Sequence, residues 1–496
     1  MTTEQTTAPT EAAAPRALRM VIGGEQVDAA DGRTFDVVNP ADGKVIATAP
    51  LGGPEDVDRA VRSALDAFDD PRGWSSWSAS KRGRALQKYS NVVKAHIDEL
   101  ARLESENIGK PISSAKGEAL AVSLVFEYYA GAANKILGET IPVSKPGLDI
   151  TLREPIGVCG LIVPWNFPMN MASWKLGPAL AAGNTCVLKP ASYSPMTAIR
   201  LGELALEAGL PPGVVNVVTG PGGTVGASLA GHPLVGKVAF TGETTTGQEI
   251  MRLASNNVKK VSLELGGKSP NIVFADADLE RFARESPYSV FDNCGQDCCA
   301  RSRILVERSV HDKVVELFAE ATRKVKVGDP SDEATEVGPL VSFRQRERVQ
   351  DYIAAGLEEG AELVVGGTAP ADGPMADGAF LMPAVFDGVS NDMRIAREEI
   401  FGPVVAVIPF DTEAEAIRLA NETPYGLSGS IWTRDIGKAL RTVKAVKSGV
   451  LSVNSNSSVH TEAPFGGYKM SGIGRELGMH ALDLYTQVKN VFIDIS

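Results

Sequence analysis

The segment Phe291–Ala300, FDNCGQDCCA, carries Cys294, Cys298 and Cys299, three of the five cysteines in the chain. Thiols at this density can bind a metal, exchange electrons, pack, or attack an electrophile. Metal binding is disfavoured, because paired CxxC spacing is missing and the nearest histidine in sequence is His311. A redox pair lacks CxxC as well. Cys159 and Cys186 stand inside apolar, strand-like text and read as packing. Cys298 differs, since its polar, glycine-containing surroundings predict the start of a helix, where a thiol loses its proton more readily. A nucleophilic thiol needs a base and an oxyanion site. His96, His232, His311, His460 and His480 occur in no context suited to a Cys–His hydrolase. The alternative base is a carboxylate. Glu264 ends the run VSLEL just before Gly266 and Gly267, where a lone carboxylate on an apolar strand gains a raised pKa and accepts a proton from water.

A second kind of chemistry is anion binding. Phe240–Gly247, FTGETTTG, follows a strand-like run and opens a helical one, the context in which backbone N–H groups hold phosphates. It is not GxGxxG, so an ordinary strand-to-helix turn explains it equally well. Ligand phosphates could sit above Gly242 and Gly247. Lys189, at the end of the strand-like VLKP, stands where a cofactor ribose or phosphate would pass, or is simply a solvated lysine.

The elements that must position these groups are legible in the periodicity. Residues 19–50 alternate short extended pieces with turns, and from Gly53 to about Lys135 apolar residues recur at three and four positions, as in helices. From residue 157 to 275 short apolar runs alternate with helical ones, and near Asn271 a second such series begins. The pattern predicts mostly parallel sheets covered on both faces, with ligands beyond the carboxyl ends of the strands. The 139–155 segment and the final extended stretch belong to neither series, and pair either across subunits or locally.

At 496 residues the chain should divide into two or three domains. A formal charge of −12 disfavours nucleic acid and anionic membrane surfaces as partners. An odd cysteine count argues against a disulfide framework and for a reducing, cytoplasmic location. The opening residues read as a disordered tail, and no apolar run reaches membrane-spanning length.

Several spaced motifs, from about residue 20 to the end, resemble the NAD(P)-dependent aldehyde dehydrogenases: PWNFP (164–168), WKLGPALAAGN (174–184), LKP (188–190), FTG (240–242), LELGGKSPNIVF (263–274), FDNCGQDC (291–298), EEIFGPV (398–404) and PFGGYKMSGIGRELG (464–478). The resemblance implies an α/β fold with two Rossmann-like parallel-sheet domains and a small β bridging element. It places a tail at 1–18, an NAD(P)-binding domain at 19–138 and 157–262, and a catalytic domain at 263–455. It makes 139–156 and 479–496 the oligomerisation element and 456–478 a substrate-channel and return segment. A homodimer or homotetramer is implied.

In the same terms, Cys298 resembles the nucleophile, Glu264 the base, Asn166 the side-chain half of the oxyanion hole, and Lys175 its support. NAD or NADP is the implied cofactor, touching Pro164, Trp165, Lys189, Ser192, Gly242, Glu243, Gly247, Leu265, Glu399 and Phe401. No metal is required. Ser192 stands where many NAD-specific members carry glutamate, and serine would not repel a 2′-phosphate. The expected substrate channel contains Met171, Trp174 and Tyr468, with Asp297 and Glu127 as charges that favour cationic aldehydes. Asp297 could instead cap the turn after it. The expected reaction is oxidation of an aldehyde to its acid, with Glu264 activating water. The competing readings are acyl transfer to coenzyme A, which family members lacking that glutamate perform, a thioesterase-like hydrolase, and a non-catalytic dinucleotide-binding protein.

Overall fold

Strands buried at every position need cover on both faces, and Val158–Ile162 and Thr185–Lys189 are of this kind. A computed structural model describes residues 14–495. Its first sheet runs in the order Gly472–Ile473, Lys260–Glu264, Val235–Thr241, Val158–Ile162, Thr185–Lys189, Val215–Val217, Met20–Ile22 and Glu25–Val27. The strands from Lys260–Glu264 through Val215–Val217 are parallel. The chain enters at Val158–Ile162, winds outward on one side, then returns to Val235–Thr241 on the other. That reversal opens a crevice beyond the carboxyl ends of these two strands.

The second sheet runs Glu362–Val365, Ala384–Asp387, Val404–Phe410, Arg303–Glu307, Pro270–Val273, Ser428–Trp432 and Val450–Val453, parallel except for its first strand. Residues 265–269 carry the chain straight from one sheet into the other, so the expected boundary at 262/263 falls inside the strand Lys260–Glu264. The carboxyl-end expectation holds for the first sheet only. Cys298 precedes Arg303–Glu307 and Glu399 precedes Val404–Phe410, so the second sheet offers its amino ends to the same place.

The helix Pro168–Ala181 lies between the sheet and the helix Ile112–Ala132 and is buried along nearly its whole length. A helix apolar all round belongs to a core. Its first turn is tied to a buried charge. The Lys110 ammonium bonds to Glu118 and lies 4.0 Å from the Phe167 ring centroid, while Glu118 Oε1 accepts from the Asn170 N–H at 3.3 Å.

The 139–155 segment and the C-terminal stretch find each other. Leu148–Pro155 pairs with Thr486–Ile493 in antiparallel register, with Thr140–Ile141 on the far edge of this three-stranded sheet. The expected tail at 1–18 is too long. Residues 1–13 lie outside the described residues, but Arg16–Ala17 forms a strand parallel to Val45–Pro50, because that strand offers backbone groups that Arg16–Leu18 can pair. Among the described residues no helix is long and apolar enough to cross a membrane.

Two glycines let the sheets close on one point. A Cβ on Gly267 would stand 2.4 Å from the carbonyl oxygen of Cys298. Gly295 has φ +68°, and a Cβ there would stand 2.2 Å from the Gly402 carbonyl oxygen. Gly267→Ala should therefore push the cysteine segment away while leaving both sheets intact. A displacement on the order of 1 Å costs about 100-fold in rate. The expected result is that fall in turnover with an unchanged far-ultraviolet circular dichroism spectrum.

Candidate active site

A cavity of about 400 Å³ opens where the carboxyl ends of the first sheet meet the amino ends of the second. Asn166, Glu264 and Cys298 all line it. The cysteine segment reaches it through consecutive left-handed residues, Asn293, Cys294 and Gly295, with φ of 50°, 57° and 68°. Side-chain amides hold this course. Asn293 Nδ2 donates to the Asn166 carbonyl at 2.7 Å, Asn166 Nδ2 to the Gln296 carbonyl at 2.9 Å, and the Val341 N–H to Gln296 Oε1 at 2.8 Å. Asn166 is thus fixed to the segment that bears the thiol.

The expected helix start at Cys298 is not there. Residues 298–299 form a turn and the chain then runs into the strand Arg303–Glu307, because the left-handed residues before the turn point it that way. No helix terminus acidifies the thiol. Hydrogen bonding with Cys299, burial and the nearby Glu264 instead push its pKa well above the usual thiol range. Cys298 therefore rests protonated and needs a base.

Glu264 is 2% exposed, and neither of its carboxylate oxygens has a hydrogen-bond partner. Burial, then the charge of Glu476, pushes its pKa up to about 8, against the opposing pull of Lys175. Lys175 lies behind this group and not on the cavity wall. Its ammonium donates to Thr241 Oγ1 at 2.6 Å and to Glu476 Oε1 at 2.5 Å. Glu476 was missed in the sequence, where the only signal was a glutamate inside GIGREL.

Around the nucleophile the lining is apolar with two acids. Phe167, Met171, Trp174, Val459 and Phe465 contribute the apolar part, Trp174 and Phe465 meeting edge to face at 5.2 Å. Asp297 lines the cavity and also accepts from the Cys299 N–H at 2.9 Å, so it caps its turn while facing the channel. Asp292, which the sequence reading passed over, opens onto the same space from an exposed position. Glu127 is exposed on the helix Ile112–Ala132, and Tyr468 is 47% exposed with Arg475 stacked on its ring; neither reaches the cavity lining.

Pro164, Trp165, Gly242, Glu243, Leu265, Glu399 and Phe401 line the remaining wall, together with Gln345 and Arg348, for which the sequence gave no signal. Trp165 and Phe401 meet edge to face at 5.2 Å. Phe401 holds a left-handed φ of 58°, and Gln345 Nε2 donates to its carbonyl at 2.8 Å. Glu399 accepts from the Gly267 N–H at 3.0 Å, and burial pushes its pKa up to about 7. Gly247 lies in the first turns of the helix Thr244–Ala254 and packs against Leu265. Lys189 is buried, donates to the Pro190 carbonyl at 2.7 Å, and is lowered to a pKa of about 8 by that burial. Ser192 donates to the Gly220 carbonyl at 3.2 Å. Lys189 and Ser192 thus flank the glycine-rich turn Gly220–Gly226, outside the cavity proper and missed as a motif. Carboxylate, aromatic faces and a helix N-terminus together suit the hydroxyls, ring and phosphates of a dinucleotide.

Known proteins resemble this chain along nearly its whole length. A model described as the aldehyde dehydrogenase family matches residues 27–491. Betaine aldehyde dehydrogenase of Bacillus subtilis is 45% identical over 95% of this chain and 96% of its own. The crystal structure of betaine aldehyde dehydrogenase from Staphylococcus aureus, in complex with NAD+, superposes with a TM-score of 0.94 at 41% identity, covering 96% of this chain and 94% of that one. The indole-3-acetaldehyde dehydrogenase of P. syringae, in complex with NAD+, matches with a TM-score of 0.94 at 45% identity and covers 96% of each chain. A family match over nearly the whole length, on a cavity that joins a thiol, an unpaired carboxylate and a dinucleotide-like wall, means that the chain belongs to the aldehyde dehydrogenase family.

Proposed function

We propose that this enzyme oxidises an aldehyde to the carboxylic acid through a covalent intermediate on Cys298. The observation that carries the reading is the meeting of Cys298 with Glu264, a buried carboxylate free of hydrogen-bond partners, in one cavity. Glu264 takes the thiol proton and the sulfur adds to the aldehyde carbonyl. The developing oxyanion lies against the Asn166 side chain and the Cys298 N–H. The resulting thiohemiacetal carries the hydride to be removed, for which a bound nicotinamide dinucleotide would supply the acceptor. Glu399 and Phe401 would hold its nicotinamide end, the Gly242–Gly247 turn its phosphates, and Lys189 and Ser192 its adenosine end. The thioester left on Cys298 is hydrolysed by water that Glu264 deprotonates. Before it acts on that water Glu264 gives the proton taken from the thiol up to solvent through the cavity, with the charges of Lys175 and Glu476 lying behind it. The free carboxylate favours water over coenzyme A as acceptor.

NAD is the proposed cofactor, in line with NAD+ in the Staphylococcus aureus relative. The uncharged Ser192 supports use of NADP as well. The three-stranded sheet, with exposed Val488, Phe492 and Ile493, supports the reading of a bridge between subunits in a homodimer or homotetramer. Five free cysteines support a reducing, cytoplasmic setting. For the substrate, relatives named for betaine aldehyde and for indole-3-acetaldehyde are similar to about the same degree. Asp292 and Asp297, set among apolar side chains, support neutral and cationic aldehydes over anionic ones.

Glu264→Gln should lower steady-state turnover by about 100- to 10,000-fold. It should also slow the burst of reduced cofactor in rapid mixing, because Glu264 takes the thiol proton before it activates water; a burst at the wild-type rate would remove Glu264 from the thiol-activating role, and unchanged turnover would remove it from deacylation. In the wild-type protein only the carboxylate form of Glu264 is a base. Turnover should rise with pH through about 8 and level off above it, and a flat pH–rate profile would contradict this assignment. Asp292→Asn combined with Asp297→Asn should shift the kcat/KM ratio of an anionic aldehyde to a cationic one upward by at least about tenfold.

A further inference from the structure

We propose that Cys298, Cys299 and Asp297 form a chelating site for a thiophilic divalent cation of the zinc type, and that its occupation switches the enzyme off. The two sulfur atoms and a carboxylate oxygen of Asp297 all lie within 4.8 Å of one another. All three residues line the cavity, so the site is reached from the substrate side. Zinc–sulfur bonds of about 2.3 Å and zinc–oxygen bonds of about 2.0–2.2 Å set tetrahedral donors roughly 3.3–3.8 Å apart, which side-chain rotation within such a cluster can supply.

The turn prepares the ligands. Asp297 Oδ1 accepts from the Cys299 N–H at 2.9 Å, which fixes the carboxylate beside the second thiol. A second observation is independent of the cluster. Glu264, nine-tenths buried and more, faces the same cavity with both oxygens unpartnered, and in its carboxylate form it favours a cation beside it. The opposing charges are Arg301 and Lys110 toward Asp297, and Lys175, held by Glu476, toward Glu264; Arg301 is the one beside the thiols. Its guanidinium is occupied by the Cys299 carbonyl at 2.6 Å, Ser458 Oγ at 2.6 Å and Ser430 Oγ at 3.2 Å. The missing CxxC spacing weighs against a closed structural site, whereas adjacent thiols plus one carboxylate leave a fourth position open and suit an exchangeable ion.

Binding forms two metal–sulfur bonds and breaks two S–H bonds, and both protons pass to solvent with no change of oxidation state. Capture therefore tightens as pH rises. The occupied enzyme has no free nucleophile, and the acylated enzyme has no free Cys298 to bind the ion. The loss of activity rests on Cys298 as the nucleophile, but metal retention does not.

The test uses the reduced full-length protein, with Zn2+ and Cd2+ as the probes. Zinc should remain after desalting at one ion per chain, inhibit in parallel, and be removed by a chelator with recovery of rate. Cadmium should give a thiolate charge-transfer absorption equivalent to two thiolates per chain. Cys299→Ser should weaken zinc retention by at least about tenfold, since even groups that only orient a ligand are worth that much. A folded Cys299→Ser protein that keeps wild-type zinc affinity would overturn the site, as would a cadmium absorption of one thiolate in the wild type. The cadmium count decides even if the variant fails to fold. Because retention is read without substrate, a protein inactive on every aldehyde would still report on the metal site.

Discussion

A carboxylate held without a hydrogen bond in the interior is the feature around which the site is organised. Moving the Glu264 pKa from 4.5 to about 8 corresponds to a cost on the order of 5 kcal/mol for its charged form, felt by the folded protein as pH rises through that range. An ordinary core would pair such a group or replace it. Here Lys175 is spent on Glu476 and Thr241, leaving Glu264 near a positive charge but bonded to none of it. The result is a group that loses and regains a proton near neutral pH, which acyl transfer through a thiol requires twice.

The two sheets exist in an arrangement that serves this group. Strand Lys260–Glu264 ends at the carboxylate, and after five intervening residues the chain is in the second sheet. The turn between them carries Gly266 and Gly267, which admit Glu399 on one side and the Cys298 backbone on the other. A dinucleotide-type crevice from the first sheet and a nucleophile segment from the second thereby share one wall. The left-handed backbone at Asn293, Cys294 and Phe401 is tolerated because side-chain amides from Asn293, Gln296 and Gln345 hold both turns in place.

The helical layer matters for the same reason. The helix Pro168–Ala181 carries Met171, Trp174 and Lys175, and Asn166 stands just before it. Its first turn is pinned by Glu118, whose partner Lys110 sits over Phe167. Removing either ion would leave the other buried and unpaired, a far larger penalty than the pair itself is worth. That pair keeps Asn166 in register with the cysteine segment.

The sequence by itself determined the strand and helix alternation, the residues at the strand ends, and the family. These depend on local periodicity and on motifs that are contiguous in the chain. It also made Glu264 and Cys298 visible, because a carboxylate and a thiol at such ends have few other uses. The tertiary structure decided what depends on distant neighbours. Glu476 meets Lys175 across 301 positions, Asp292 turns toward the cavity although its local text is unremarked, and Glu127 and Tyr468 turn away from it. The expected helix at Cys298 failed for the same physical reason: cross-chain amide bonds to Asn166 and Val341 outweigh local propensity. The chain order names the reacting groups, but burial and partners drawn from both sheets set their protonation.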